Sequence, residues 1–250
     1  MHSPGKIAFS IFGLDVAWYG ILIGFGFLLA TLISYKRAPK HGINPDFILD
    51  LILWMIPAAI IGARAYYVIF QWDYYAGDWA KIFDVRGGGL AIHGGLILCF
   101  LVGYFVCRCH KESFLATADL AAVVIPLAQA IGRWGNFFNE EAHGMQTDLP
   151  WAQIIDGVGY HPTFLYESIW CFCLFWFLLW FDDHKRSFDG QMISLYMMLY
   201  SVERFFVEGL RTDSLMVGPL RQAQLLSLGL IAAGIALYVF FKKRTGRYLP

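Results

Sequence analysis

Long apolar runs recur along this chain, at roughly 17–35, 47–70, 90–107, 116–138, 163–181, 190–209 and 222–241, and each is long enough to cross a bilayer as a helix. The chain is 58% hydrophobic and only 15% charged over 250 residues. Soluble domains average about 45–50% apolar and about 25% charged, so the class is an all-α integral membrane protein with about seven transmembrane helices. No internal repeat, low-complexity tract or linker breaks the pattern, and residues 1–250 are expected to form a single domain. Between the spans lie two larger connections, 71–89 and 139–162, which are expected to form an extracytoplasmic arm and loop region.

Lys and Arg outside the spans set the orientation. One set of connections holds eleven of them: Lys36, Arg37, Lys40, Arg108, Lys111, Lys185, Arg186, Lys242, Lys243, Arg244 and Arg247. The opposite set holds five, namely Lys6, Lys81, Arg86, Arg211 and Arg221. The eleven-cation side is therefore expected to be cytoplasmic, with the C-terminus on it and the N-terminus outside. Only Lys6 precedes the first apolar patch and no small-residue cleavage site follows, so the first span is expected to stay as an anchor. The cysteines, Cys99, Cys107, Cys109, Cys171 and Cys173, lie in or near apolar runs without metal-site spacing and are expected to be reduced thiols.

Three arginines fall inside the spans: Arg64, Arg133 and Arg204. A cation in hydrocarbon costs several kcal/mol on most scales and usually faces a cavity or a partner. With the orientation above, the unusual polar residues gather at the outer ends of different spans. Trp18 and Tyr19 open the first, and Arg64 lies near the outer part of the second. His93 opens the third, Arg133 and Asn136 close the fourth, Tyr166 and Glu167 open the fifth, and Arg204 and Glu208 close the sixth. One outward-facing polar chamber would collect them and suit an anionic substrate.

Each motif supports a functional and a structural reading. Tyr200, Arg204, Glu208 and Arg211 have spacings of four, four and three, which place them on one helix face. That face can line a polar cavity, or it can close a helix end with an ion pair between Glu208 and Arg204 or Arg211. In Gly132-Arg133-Trp134-Gly135-Asn136-Phe137-Phe138-Asn139-Glu140-Glu141-Ala142-His143-Gly144, a guanidinium and an amide suit a lipid phosphate, or simply cap a helix end. His93 stands between Gly87-Gly88-Gly89 and Gly94-Gly95. Its imidazole can act as a general base, or can be an ordinary hydrogen-bonded core group. Tyr166 and Glu167 follow His161-Pro162-Thr163 and can reach the chamber or serve the helix start. His93, His143, His161, Glu140 and Glu141 share the outer side, but none has H-E-x-x-H spacing, so no metal site is expected. Gly20-x3-Gly24 fits a small-residue helix contact.

Taken together these residues resemble the bacterial prolipoprotein diacylglyceryl transferase family. The run GRWGNFFNEEAHG is similar to its signature, with Gly132, Arg133, Asn136, Phe137, Asn139, Glu141 and Gly144 in matching places. Trp18-Tyr19-Gly20, His93-Gly94-Gly95-Leu96, His161-Pro162-Thr163 with Leu165-Tyr166-Glu167, and the stripe of Tyr200, Arg204, Glu208 and Arg211 match further elements. The resemblance implies transfer of the diacylglyceryl group of phosphatidylglycerol to the thiol of the lipobox cysteine of a prolipoprotein. A thioether forms and glycerol phosphate leaves, at the outer face of the cytoplasmic membrane. It implies as partners phosphatidylglycerol, the prolipoprotein signal peptide and membrane lipids, with no nucleic acid, no metal and no organic cofactor. On this footing the expected catalytic residues are His93, Arg133, Arg204 and Glu208, with His93 ahead of Glu208 as base. Tyr19, Arg133, Asn136, Asn139, Glu141, Gly144, Tyr200, Arg204 and Arg211 are expected to bind phosphatidylglycerol. A lipid or anion transporter using the same arginines is the competing class; it would need a polar path to both faces.

Overall fold

The computed structural model describes residues 1–85, 88–212 and 215–245. Arg86, Gly87 and Arg247, which entered the charge count and the glycine motif, lie outside the described residues. In chain order the elements are β1 (Ile7–Ile11), β2 (Leu14–Ala17), α1 (Trp18–Arg37), α2 (Pro45–Phe70), α3 (Trp72–Tyr75), α4 (Trp79–Phe83), α5 (Ile92–His110) and α6 (Phe114–Asn139), followed by β3 (Gln153–Ile155), β4 (Val158–Tyr160), α7 (Thr163–His184), α8 (Gln191–Leu210), β5 (Met216–Val217), β6 (Leu220–Arg221) and α9 (Gln222–Thr245). Each expected span is matched by one long helix, with ends shifted by a few residues.

Among the described residues six of these helices are both long and apolar enough to cross a membrane. The exception is α8, because Glu203, Arg204 and Glu208 lower its hydropathy. The connections are less irregular than expected of an all-helical chain: β1–β2, β3–β4 and β5–β6 form three antiparallel hairpins. Their strands are two to five residues long, too short to leave a hydropathy signature.

The chain forms two compact units, Met1–Ser34 with Ala118–Pro250, and Tyr35–Thr117. In the first, α6, α7 and α8 close on a core of Ala122, Val123, Val124, Leu174, Leu178 and Met192. Among the described residues the glycine contact read at Gly20 and Gly24 is absent, since a Cβ at either would meet nothing within 4 Å. Gly26 is the glycine of α1 that packs, with its Cβ position 3.2 Å from the Ala128 backbone of α6. Spacing alone could not tell which side of α1 faces a neighbour, because lipid and protein both accept small residues.

Asp119 of α6 sets the start of α8. Its carboxylate accepts hydrogen bonds from the backbone N–H groups of Gly190 (2.8 Å) and Ile193 (2.9 Å), and it is fully buried. A carboxylate at a helix N-terminus satisfies orphan donors and complements the helix dipole. Arg186 approaches the same carboxylate at 3.6 Å and pairs with Asp189 at 2.6 Å. Charged hydrogen bonds contribute about 1.5–3 kcal/mol each, so Asp119→Ala should destabilise the protein by about 3 kcal/mol or more. A matching fall in the thermal unfolding midpoint in detergent, against a smaller fall for Asp119→Asn, is the expected result.

In the second unit α2 and α5 pack backbone to backbone. A Cβ on Gly94 would lie 2.2 Å from the Gly62 carbonyl oxygen, and one on Gly62 would lie 2.5 Å from that of Gly94. The glycine after His93 is thus a helix-crossing residue. The arm after α2 carries α3 and α4. Asp78 caps α4 by accepting from the Lys81 N–H at 3.2 Å, and this hydrogen bond holds the Asp78 carboxyl below its ordinary value. Arg64 is buried and donates to the carbonyls of Lys81, Ile82, Gly88 and Gly89, with its guanidinium 4.9 Å from the Tyr75 ring centroid. Its donors are spent on the arm's backbone, so Arg64 organises the arm.

Candidate functional site

The site lies in the first unit, where the C-terminal end of α6, the N-terminal end of α7 and the C-terminal end of α8 meet. Glu167, at the fifth position of α7, is 1% exposed. Its carboxylate forms an ion pair with Arg133 Nη2 of α6 and also accepts from Arg204 Nη1 of α8, with both oxygens at 3.3 Å. Arg204 Nη2 donates to Glu208 Oε2, one helical turn on, at 2.7 Å. Arg133 Nη2 also lies 3.4 Å from the Tyr200 hydroxyl. Two guanidiniums from different helices therefore share one buried carboxylate. The arginine side chains are themselves 22% and 20% exposed, against 1% for the carboxylate they share.

Glu167 is the residue that sequence reasoning undervalued. It was one of two candidates at a helix start, and its neighbour Tyr166 turns elsewhere, with its hydroxyl 3.2 Å from both His161 Nδ1 and Trp151 Nε1. Glu203 belongs to none of the sequence motifs. Glu203 precedes Arg204, is 6% exposed, and neither carboxyl oxygen has a hydrogen-bond partner. Its only sequence signal was a further acidic residue in an otherwise apolar helix.

One turn beyond Arg133 on α6, Asn136 Nδ2 donates to Glu141 Oε1 at 3.0 Å, and Asn139 Nδ2 donates to the same oxygen at 3.3 Å. Three signature side chains thus form one polar cluster. The chain can fold back this way because Glu140 and Ala142 adopt left-handed backbone conformations, with φ of 55° and 59°. Gly144 then pairs with Arg211 across an antiparallel bridge, where a Cβ would sit 2.7 Å from His161 Cβ. Tyr19 of α1 packs against α6 at Gly135: a Cβ there would overlap its ring, at 1.8 Å from Cδ2. Trp18 stacks on Phe138, with ring centroids 5.1 Å apart.

The helical stripe is one residue shorter than its spacing implied. Tyr200, Arg204 and Glu208 lie on α8, but the helix ends at Leu210 and Arg211 is extended, with φ −74° and ψ 148°. Backbone pairing with Gly144 competes with another helical residue there, and Met145 N–H claims the Leu210 carbonyl at 2.9 Å. Glu208 pairs with Arg204, one turn before it on α8. His93 belongs to the second unit, where it is exposed near the start of α5 with its ring 6.3 Å from that of Tyr66.

Residues 6–240 match the family model described as prolipoprotein diacylglyceryl transferase. The chain belongs to this family. It is 51% identical to the phosphatidylglycerol–prolipoprotein diacylglyceryl transferase of Finegoldia magna, over 96% of each chain. It is 53% identical to the protein of the same name from Clostridioides difficile, again over 96% of each. With that of Gloeobacter violaceus it shares 45% identity over 98% of this chain and 96% of the relative. The family is a transferase family, and the match takes in α1 to α8, most of α9 and every charged residue of the candidate site.

Proposed function

We propose that this chain moves the diacylglyceryl group of phosphatidylglycerol to the lipobox cysteine thiol of a prolipoprotein, forming a thioether and releasing glycerol phosphate. The observation that carries the proposal is the pair of guanidiniums, Arg133 and Arg204, held together by Glu167 at one end of the helix bundle. The positive-inside count puts that end, and hence the reaction, on the outer side of the bacterial cytoplasmic membrane.

The nucleophile comes from the substrate. A thiol with pKa about 8.5 is mostly protonated near neutral pH, so a base assists it. As sulfur attacks the glyceryl carbon, the carbon–oxygen bond breaks and the phosphodiester becomes a monoester with added negative charge. The edges of Arg133 and Arg204 that are not spent on Glu167 and Glu208 supply N–H donors to that charge. They do so without reorganising, which makes such donors strong in a water-poor site. Tyr19, Tyr200 and the Asn136–Asn139–Glu141 cluster present hydroxyl, amide and carboxylate groups to the polar headgroup. Glu208 fixes the Arg204 rotamer, and Gly144 with Arg211 closes the loop over the end of α8.

His93 is the first choice for the base. His93→Gln should lower transfer about 100-fold or more and remove the acidic limb of the pH–rate profile, since a base works only when deprotonated. Retained activity with an unchanged profile moves the base elsewhere. The test of the function itself is an incubation of the purified protein, in vesicles holding labelled phosphatidylglycerol, with a cysteine-bearing precursor peptide. Label on the peptide supports the transferase, whereas label crossing leaflets unchanged supports a transporter.

A further inference from the structure

One turn deeper than the charged cluster, the same three helices meet again. Gln129 stands four residues before Arg133 on α6, Cys171 four after Glu167 on α7, and Tyr196 four before Tyr200 on α8. Each therefore lies on the side of its helix that carries the site. The Tyr196 hydroxyl donates to Gln129 Oε1 at 3.1 Å, and the fully buried Cys171 thiol lies 4.0 Å from the same oxygen. Polar side chains inside a helix bundle in lipid satisfy one another, so this contact ties α6 to α8. It also fixes a ring. Tyr196 stacks on Tyr200, with centroids 5.5 Å apart and planes 19° from parallel. Tyr200 in turn accepts from Arg133 Nη2 at 3.4 Å. Good N–H···O bonds span about 2.7–3.2 Å, so this long one holds the Tyr200 ring weakly. The stack is the contact that sets where the ring lies.

We propose that Tyr196, anchored by Gln129, is a positioning residue for the transfer: its ring keeps the Tyr200 hydroxyl on Arg133. This rests on the transferase reading of the same site. Tyr200 accepts from the guanidinium through its oxygen, which leaves its own proton to be given to a headgroup oxygen. Arg133 and Tyr200 thus work as one donor pair, and the pair is only as well aimed as the Tyr200 ring. A tyrosine side chain turns about two bonds, and a second ring packed on its face restricts both. Donors aimed at charge that grows in the transition state help most when they are already in place, because a displaced donor must first reorganise. Tyr196 gives no group to the substrate; it acts through Tyr200.

Tyr196→Leu and Tyr196→Phe test the assignment, each in the unaltered chain and in a Tyr200→Phe background. The full chain, in vesicles of labelled phosphatidylglycerol with a cysteine-bearing peptide, is followed for kcat and KM of transfer and for thermal unfolding. Tyr196→Leu removes the platform and should lower kcat about 10-fold with KM for the lipid nearly unchanged, the most that one lost ring stack accounts for. Tyr196→Phe keeps the ring and should restore most of the rate. In the Tyr200→Phe background no hydroxyl remains to be aimed, so Tyr196→Leu should cost no more than about twofold there. An equal loss in both backgrounds overturns the assignment, because Tyr196 then serves the bundle and not Tyr200. An unchanged kcat in Tyr196→Leu, or a loss that Tyr196→Phe does not relieve, overturns it as well. Should Tyr196→Leu fail to fold, Gln129→Leu takes its place, since it keeps the ring and removes the anchor. A few-fold loss of kcat that vanishes in Tyr200→Phe then supports the assignment, and an equal loss in both backgrounds or a second unfolded variant overturns it. All these outcomes leave the transferase reading intact, whereas an unaltered protein that transfers no label overturns both readings.

Discussion

Arg204→Ala and Arg133→Ala should each reduce diacylglyceryl transfer about 100- to 1,000-fold, the loss seen when one preorganised donor to a developing oxyanion is removed, equivalent to about 2.7–4 kcal/mol of barrier. The two arginines come from α8 and α6, and their shared partner Glu167 comes from α7. Each substitution therefore removes a donor and disturbs the geometry of the other. The effects should be strongly non-additive, with the double variant little worse than either single one. Lysine keeps the charge but lacks the planar fork, so Arg204→Lys should rescue only part of the rate. Initial rates at saturating and at limiting phosphatidylglycerol separate a loss of binding from a loss of turnover. Near-normal turnover in both folded alanine variants would remove these residues from the chemistry.

Glu167→Ala is expected to be the most disruptive single change to the folded protein. Its carboxylate is 1% exposed and meets Arg133 and Arg204 together. Removing one partner of a buried ion pair costs about 3–5 kcal/mol, because the remaining charge is left uncompensated. Here two guanidiniums lose their common partner, so thermal stability and transfer should both collapse. Glu167→Gln keeps two polar atoms in place and should be milder. An anionic headgroup can neutralise the orphaned guanidiniums, so phosphatidylglycerol should raise the unfolding midpoint of Glu167→Gln more than that of the unaltered protein. The decisive measurement is thermal unfolding in micelles with and without the lipid. Equal responses in the two proteins would mean that the arginine pair does not meet the headgroup.

The ends of the seven long helices were readable to within a few residues because hydropathy is a local property that needs no knowledge of neighbours. The signature GRWGNFFNEEAHG was legible for a related reason: its polar side chains are close neighbours in the sequence, and Asn136, Asn139 and Glu141 do meet. Reasoning from spacing failed where another segment competes for the same atoms. Arg211 leaves the α8 stripe to pair with Gly144, and among the described residues nothing lies within 4 Å of a Cβ on Gly20 or Gly24, while Gly26 packs on α6. Glu203 was overlooked because an acid beside Arg204 in the sequence reads the same whether it is paired or not.

Composition and the periodic placement of apolar residues were enough to specify a helical membrane protein, and the motifs were enough to place it among the diacylglyceryl transferases. Both depend on interactions with solvent or lipid and on residues a turn or two apart, which any short window of the chain contains. Only packing of α6, α7 and α8 decided that Glu167 joins Arg133 to Arg204, that Glu203 is left over, and that Asp119 holds the start of α8. Those pairings join distant parts of the chain, and a charge buried in a bilayer chooses its partner by which opposite charge the folded helices bring within reach.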